Sequence, residues 1–506
     1  MNALRQEPQK TVRVKLLGKG VASVPLALFT QLEASIGGRV VLKSHPDYEQ
    51  LRRPTFNMAI DPFPSAIVMP SDSEDVSQCI KWARNHGIEL TVACGRHTVH
   101  SSKNDRVTLS LQNMRAVIPI PAQNVVHVQG GARLNDLDRV TGRYNLAAVA
   151  GTNYDTGVGG WTIGGGWGFL SRQHGLGVDN LLEVEMVLSN GDIVIANAKH
   201  NADLFWAVRG AGANFGVVTR FTFKAHPIES VHGGVMAYPF SAAPAILTLV
   251  QETVAQGPRS NVTMAALAYS PGPAGSDKMP IAMLLPIYVG TGTKGDARED
   301  DRKRGRAVLE KQVTAVPNPL FQKVGPLKYH TELQHLLDKV SPAGLKYYEK
   351  HLFVKALTAD LIQLMLARFH ECPHTGAQLI IIPIGGAIGD VTTESSAVAS
   401  RLKEGFWLIS YCSAPNGTDD EYDQARAWAQ ENARVFEPYR AGLFVNELGG
   451  SAGRDIEMES ADSSSLMSWS AKDLYGANYD RLIALKKKYD PENFFCNNHN
   501  LALGRL

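Results

Sequence analysis

The chain is poor in cysteine and contains no unbroken apolar run long enough to cross a bilayer. Its five cysteines (Cys79, Cys94, Cys372, Cys412 and Cys496) are scattered and odd in number, and none forms a CxxC pair. That pattern suggests neither a disulfide framework nor a zinc site and fits a reducing, cytoplasmic setting. An excess of one charge is also missing: 51 Lys+Arg against 49 Asp+Glu leaves a formal charge of +2. No global field draws the protein to nucleic acid or to an anionic membrane. At the N-terminus VASVPLALF is short, broken by Pro25 and followed by no small-residue cleavage site, so no secretion signal is expected. Chance sequons at Asn261 and Asn416 do not outweigh that. Small-molecule chemistry is the function class these absences leave.

Glycine is concentrated in GTNYDTGVGGWTIGGGWGFLSRQHGLGVDN, residues 151–180. Gly157, Gly159, Gly160, Gly164, Gly165, Gly166 and Gly168 strip side chains from one short run, which lets backbone N–H groups approach a ligand, usually an anionic phosphate. A flexible linker would be rich in serine. Here Trp161, Ile163, Trp167, Phe169 and Leu170 are interleaved instead, so the run is expected to pack into a core while presenting its backbone elsewhere. Neither GxxxxGK[ST] nor an N-terminal strand–GxGxxG–helix unit occurs, which implies a different dinucleotide-binding architecture.

A length of 506 residues supports two or three domains. From Ser65 the pattern reads strand, helix, strand, with a capping signal from Ser71 to Glu74 and a stop at Gly87. Short strands are expected at 107–111, 116–120 and 124–131, a helix from Leu134 to Tyr144, and a hairpin turning at Asn190-Gly191. Beyond Pro227, β-rich segments alternate with helices near 356–370 and 420–436, the pattern of an antiparallel sheet with helices on one face. The charged stretch 294–306 reads as a solvated loop and helix start.

Four ordered segments identify a resemblance: VACGRHTVHSS (92–102), GTNYDTGVGGWTIGGGWGFLSRQHGLGVDNL (151–181), DLFWAVRGAGANFGVVT (203–219) and YDPENFFCNNHNL (489–501). Together they resemble the FAD-linked oxidases of the berberine bridge enzyme-like group, within the vanillyl-alcohol oxidase (PCMH-type) flavoproteins. The resemblance implies an α+β fold: an N-terminal extension (1–59), a PCMH-type FAD domain of two α+β subdomains (60–228), a substrate domain with an antiparallel sheet covered by helices (229–460), and a C-terminal segment returning to the FAD domain (461–506). It also implies FAD as cofactor, a small-molecule substrate and dioxygen as a partner, with no nucleic acid, membrane or metal involved.

On this resemblance the FAD diphosphate lies against backbone of the segment Cys94, Gly95, Arg96, His97, Thr98, His100 and Ser101 and against the glycine run, including Gly151, Thr152, Asn153, Thr156, Thr162, Asp179 and Asn180. The adenine lies near Gly216, Val217 and Val218, and the isoalloxazine edge near Asn498, His499 and Asn500. From the residues alone, His97 reads as a hydrogen-bonded loop residue or an attachment point; the resemblance implies covalent attachment to the flavin 8-methyl carbon. Relatives make a second bond through a cysteine where this chain has Asn153, so attachment through His97 only is expected. Thr156 stands where relatives carry a small apolar residue that governs oxygen access, and Asp155 is a carboxylate the family pattern does not contain. His499 would supply positive charge near the reduced ring, a packing contact or a neutral hydrogen bond.

Oxidation of a C–H bond by flavin requires a base for the substrate's proton. Relatives end the strand before the tail with an aromatic residue at the flavin face, and here that segment reads Phe444-Val445-Asn446-Glu447. Glu447 is therefore the leading acid/base candidate, against the alternative of a solvated strand end, and Tyr347, Tyr348, Lys350 and Tyr411 are secondary candidates. Two functions are carried forward. The first is oxidation of a small organic molecule of specialised metabolism by hydride transfer to flavin N5, with reoxidation by dioxygen. The second is a non-redox isomerisation or cyclisation driven by Glu447 in natural-product biosynthesis.

Overall fold

The computed structural model describes residues 10–54, 56–228, 230–270, 278–290, 295–338, 341–447 and 469–503, with backbone alone at 230, 295–298 and 447. Ala66–Met69 and Val107–Ser110 are buried at every position, as suits strands covered on both faces. Val107–Ser110 lies between Ala66–Met69 and Leu90–Ala93, parallel to both, and Arg39–Leu42 adds antiparallel to Ala66–Met69. Helix Ser73–Asn85 turns Val76, Cys79, Ile80 and Ala83 onto this sheet. Its cap lies one residue later than expected. Asp72, not Ser71, accepts the N–H of Asp75 at 2.9 Å, because the buried Asp75 carboxylate itself accepts the N–H groups of Ser71, Gly37 and Gly38, each at 2.8 Å. Satisfying three backbone donors keeps that carboxylate inside the fold.

A second, five-stranded antiparallel sheet runs in the order Ile193–Asn197, Leu181–Leu188, Gly216–Lys224, Val125–Gln129, Val117–Ile120. The first two strands form the expected hairpin, whose tight turn holds Gly191 at a φ of +85°. The helix expected to reach Tyr144 is α-helical only over Leu134–Thr141 and ends in a 3-10 turn, Gly142–Tyr144, before Asn145 in the left-handed region. The glycine run also differs from a simple loop: Val158–Ile163 and Ser171–His174 are short helices. Apolar side chains hold them, since Trp167, Phe169 and Leu170 belong to a buried cluster against which Trp161 packs.

Among the described residues the third sheet has nine strands, every pair antiparallel. Helices Ala243–Gln256, Ala359–His370 and Asp419–Phe436 contribute to the core on one face. Alternation along the strands decides what the other face presents. On Glu404–Ala414, Phe406, Leu408 and Cys412 join the helix-covered core, whereas Trp407, Ile409 and Tyr411 join the cluster that includes the glycine run. The charged stretch opens helix Gly295–Ala315.

The chain then returns. Helix Tyr479–Tyr489 is followed by Phe494 and Phe495, which pack into the core of the first sheet. The fully buried Lys486 holds this reversal, its ammonium donating to Asp490 at 2.6 Å and to the carbonyls of Asn214 at 2.8 Å and Phe495 at 3.1 Å. Among the described residues no helix is long and apolar enough to cross a membrane, and no group of three or more metal-ligating side chains gathers.

Candidate active site

Two loops are brought into backbone contact by glycine. A Cβ on Gly95 would stand 2.2 Å from the nitrogen of Gly157, and one on Gly157 would stand 2.3 Å from the nitrogen of Gly95. Neither position admits a side chain, so the segment after strand Leu90–Ala93 and the start of the glycine run lie directly against each other. Where these loops meet the end of the second sheet, the helix-free face of the third sheet and the C-terminal segment, they enclose a cavity of 430 Å³.

Most residues singled out in the sequence line this cavity. Cys94, Gly95, Arg96, His97, Thr98, His100 and Ser101 come from the first loop, and Gly151, Thr152, Asn153, Thr156, Gly157, Gly159, Gly160 and Gly164 from the glycine run. Gly216, Val217, Val218, Asn498 and His499 complete that end. Thr162, Gly165, Gly166, Gly168, Asp179, Asn180 and Asn500 do not line it. Their places are structural. Thr162 donates to the carbonyl of Val158 at 2.7 Å, and a Cβ on Gly168 would reach within 1.7 Å of the carbonyl oxygen of Ala150. Asp179 pairs with the buried Arg401 at 2.7 Å, and Asn180 donates to the carbonyls of His174 and Leu176, each at 2.9 Å.

The loop contact sets the surroundings of His97. Two residues beyond Gly95, its Nε2 lies 2.9 Å from Oδ1 of Asp155, two residues before Gly157. The ring stacks on Phe56 with centroids 4.6 Å apart, Phe56 stacks on Tyr347 at 5.0 Å, and Tyr347 on Tyr411 at 5.1 Å. This aromatic series links the loop end of the cavity to the third sheet. His100 and His499 meet edge to face, 4.8 Å between centroids. Burial lowers both: the His100 imidazole falls well below its usual range, and that of His499 is held at about 4 despite a bond to the backbone of Val445. Of the alternatives weighed for His499, the neutral hydrogen-bonding ring is the one these surroundings favour.

At the third sheet, Tyr347 and Tyr411 point toward the cavity. Tyr348 projects from the opposite face of its strand into the helix-covered core, where its hydroxyl accepts a hydrogen bond from Gln430 on helix Asp419–Phe436. Tyr348 is still among the residues lining the cavity, but alternation along the strand turns its ring to the face opposite Tyr347. Lys350 is buried, its Nζ 5.4 Å from the ring centroid of Trp469. Val445–Glu447 forms a single 3-10 turn fastened to the glycine run, Asn446 donating to the carbonyl of Trp161 at 2.5 Å. The Glu447 side chain lies outside the described residues.

A cavity carboxyl that the sequence reading did not single out is Glu349. It sits on strand Lys346–Val354 opposite Tyr411 on Glu404–Ala414, and removal from water raises its pKa to about 7. The same burial, with Tyr347 and Glu349 nearby, keeps the Tyr411 phenol protonated far above neutrality. Its signal in the sequence was only a two-residue offset from Tyr347, which means nothing until the strand register is known.

Atoms left without partners indicate what the loop end accommodates. Both ring nitrogens of His100 and Oδ1 of Asn498 are buried with no hydrogen-bond partner among the described residues, and a Cβ on Gly160 would meet nothing within 4 Å. Buried polar groups ordinarily find partners. A long, polar, phosphate-bearing group such as FAD fits this combination of open backbone and unused donors and acceptors.

Comparison with known proteins gives the same group. A family model described as FAD binding domain matches residues 64–197, and one described as Berberine and berberine like matches 453–502. An FAD-linked oxidoreductase of Dictyostelium discoideum is 30% identical over 469 residues, covering 92% of this chain and 95% of that protein. Among solved structures, xylooligosaccharide oxidase from Myceliophthora thermophila in complex with xylobiose superposes with a TM-score of 0.74 at 22% identity, covering 95% of this chain and 100% of the other. A berberine bridge enzyme variant in complex with (S)-reticuline superposes with a TM-score of 0.76 at 18% identity, covering 94% and 98%. With a mixed α+β PCMH-type fold, an FAD-binding domain and a relative matched over 92% of this chain, the chain belongs to the berberine bridge enzyme-like FAD-linked oxidoreductases.

Proposed function

We propose that this enzyme oxidises a small, largely apolar organic molecule of specialised metabolism at an alcohol, amine or activated C–H bond. When bound, FAD would supply the hydride acceptor, and dioxygen would serve as the terminal oxidant with release of hydrogen peroxide. The chain's own residues divide the remaining work. The loop after Ala93 and the glycine run hold the cofactor, with covalent attachment through His97 alone because Asn153 offers no thiol. The wall facing it is built from Met264, Ile380, Ile382, Trp407, Ile409 and Phe444. A sugar would leave its hydroxyl groups unpaired against such a surface, whereas an aromatic or alicyclic molecule fills it.

The observation that carries this reading is the Glu349 carboxyl among those apolar side chains. A carboxyl titrating near neutrality can accept a proton from a substrate O–H or N–H as hydride leaves. Glu447, at the end of the turn fastened to the glycine run, is the second carboxyl assigned to proton transfer. Tyr411, held as a phenol, donates a hydrogen bond to the substrate. The test is anaerobic mixing of the holoenzyme with vanillyl alcohol, benzylamine and cellobiose, followed by flavin absorbance. Bleaching by the ring-bearing probes and not by cellobiose is expected. Bleaching by cellobiose alone overturns the substrate class.

One observation favours a second reading, a non-redox isomerase or cyclase. A carboxyl poised near neutrality, in a chain whose flavin-facing aromatic is replaced by Glu447, serves proton transfer without electron transfer equally well. Turnover without mass change or oxygen uptake would select it.

A further inference from the structure

Asp155 has no role in the reading above, yet its position is specific. It is almost completely buried, its side chain 3% exposed, and the Gly95–Gly157 contact brings its Oδ1 to 2.9 Å from His97 Nε2. That contact meets the distance of a hydrogen bond and not its angle, so the carboxylate acts first as a fixed charge beside the ring. Phe56 stacks on one face of the imidazole at an interplanar angle of 16°, which opposes rotation about the Cβ–Cγ bond and so fixes the plane of the ring. With Nε2 turned to a carboxylate, the nitrogen left for a group in the cavity is Nδ1. A carboxylate beside one imidazole nitrogen favours the tautomer that keeps the proton there and leaves the lone pair on the other.

We propose that Asp155 is the positioning residue for covalent attachment of the flavin, holding the Nε2 side of His97 so that Nδ1 forms the bond to the 8-methyl carbon. The inference rests on the His97 attachment put forward under the proposed function. In the overall step one methyl C–H bond breaks and one C–N bond forms. The imidazole loses its Nε2 proton, the charge of the Asp155 carboxylate favouring that loss, and the methyl group loses the other. The two electrons released are taken up by dioxygen, which leaves with both protons as hydrogen peroxide. Each atom is accounted for, and the only co-reactant besides FAD is dioxygen.

The test follows FAD on the full-length protein and needs no substrate. Wild type, Asp155→Asn, Asp155→Glu and His97→Ala are purified, checked for FAD content and thermal unfolding, then denatured in urea. Flavin fluorescence that stays with the polypeptide is measured, and the adduct is located by peptide mass. Wild type is expected to retain its flavin on the peptide containing His97, and His97→Ala to release all of it. Asp155→Asn is expected to bind FAD yet carry at least tenfold less of it covalently after a fixed reconstitution time in air, with Asp155→Glu partly restoring attachment. Asp155→Asn attaching flavin at the wild-type rate overturns the proposal. Wild type releasing all its FAD on denaturation overturns the proposal and the attachment reading together, while leaving FAD-dependent oxidation standing. If Asp155→Asn does not fold, Asp155→Glu decides alone: attachment at the wild-type rate with a carboxylate displaced by one methylene would show that position is immaterial.

Discussion

Glu349 and Tyr411 stand directly opposite each other on neighbouring antiparallel strands, so both side chains leave the same face of the sheet and enter the cavity as a pair. One is a carboxyl raised to about 7 by burial, and the other a phenol that burial keeps protonated. Together they place a proton acceptor beside a fixed donor next to the apolar side chains Ile380, Ile382, Trp407 and Ile409.

Replacing Glu349 by Gln keeps shape and hydrogen-bonding capacity and removes the titration. Flavin reduction by substrate should slow by about a hundredfold, the usual worth of a positioned base. In wild type the rate should rise with pH through about 7, as the carboxyl loses its proton and becomes a base, and in Glu349→Gln that limb should be flat. Stopped-flow absorbance across pH 5 to 9 measures both. Glu447→Gln, run alongside, divides the proton transfer between the two carboxyls.

The glycine contact makes a prediction with its own control. Gly95→Ala forces its new methyl to within 2.2 Å of backbone at Gly157, which the loops can relieve only by separating. Overpacking of this kind costs about 1–3 kcal/mol, and FAD content should fall with stability. Gly160→Ala meets nothing within 4 Å and lies in the cavity lining. As apoprotein that variant should unfold at the wild-type temperature, while taking up less FAD on reconstitution. Thermal unfolding of apo and FAD-loaded samples separates the two effects.

These cases show what a linear reading reaches. The α+β layering, the Asn190-Gly191 hairpin and the glycine run's part in the cavity were legible because each is a local property of composition or periodicity. Glu349 was not, since its role depends on the register that sets it against Tyr411. Tyr348 illustrates the same limit from the other side: adjacent to Tyr347 in sequence, it is one pleat away and faces the helices. Asp179 and Asn180 share the glycine run's sequence neighbourhood, yet they fasten Arg401 and the His174 loop instead of lining the cavity.

Lys486 tests how the C-terminal segment is held. Its ammonium is paired and hydrogen-bonded inside the fold, and burial still pulls its pKa below the usual lysine range. Lys486→Ala leaves the Asp490 carboxylate buried without its counter-charge, a loss of about 3–5 kcal/mol for broken buried pairs. Because Asn497 and Asn498 anchor the same segment to Leu90 and Ala213, the variant should be purified with a lower flavin content as well as a lower stability.

Asp138 offers a stability prediction independent of catalysis. Buried under the glycine run, it accepts a hydrogen bond at 3.1 Å from Gln334, which also donates to the carbonyl of Gly151 at 3.0 Å. Burial raises its pKa from 3.8 to about 7, with the Gln334 bond opposing that rise. A folded-state pKa above the unfolded one means the folded protein holds the proton more tightly. The stabilisation is complete below about pH 4 and is lost as pH rises through about 7, at a slope approaching about 1.4 kcal/mol per pH unit in between. Glu349, shifted in the same direction, adds a second contribution of the same sign. Unfolding temperatures of the holoenzyme measured from pH 5 to pH 8 should therefore fall more steeply for wild type than for Asp138→Asn. In the Asp138→Asn, Glu349→Gln double variant the slope from these two groups should disappear. An Asp138→Asn profile parallel to that of wild type would mean that Asp138 carries its charge at neutral pH despite its burial.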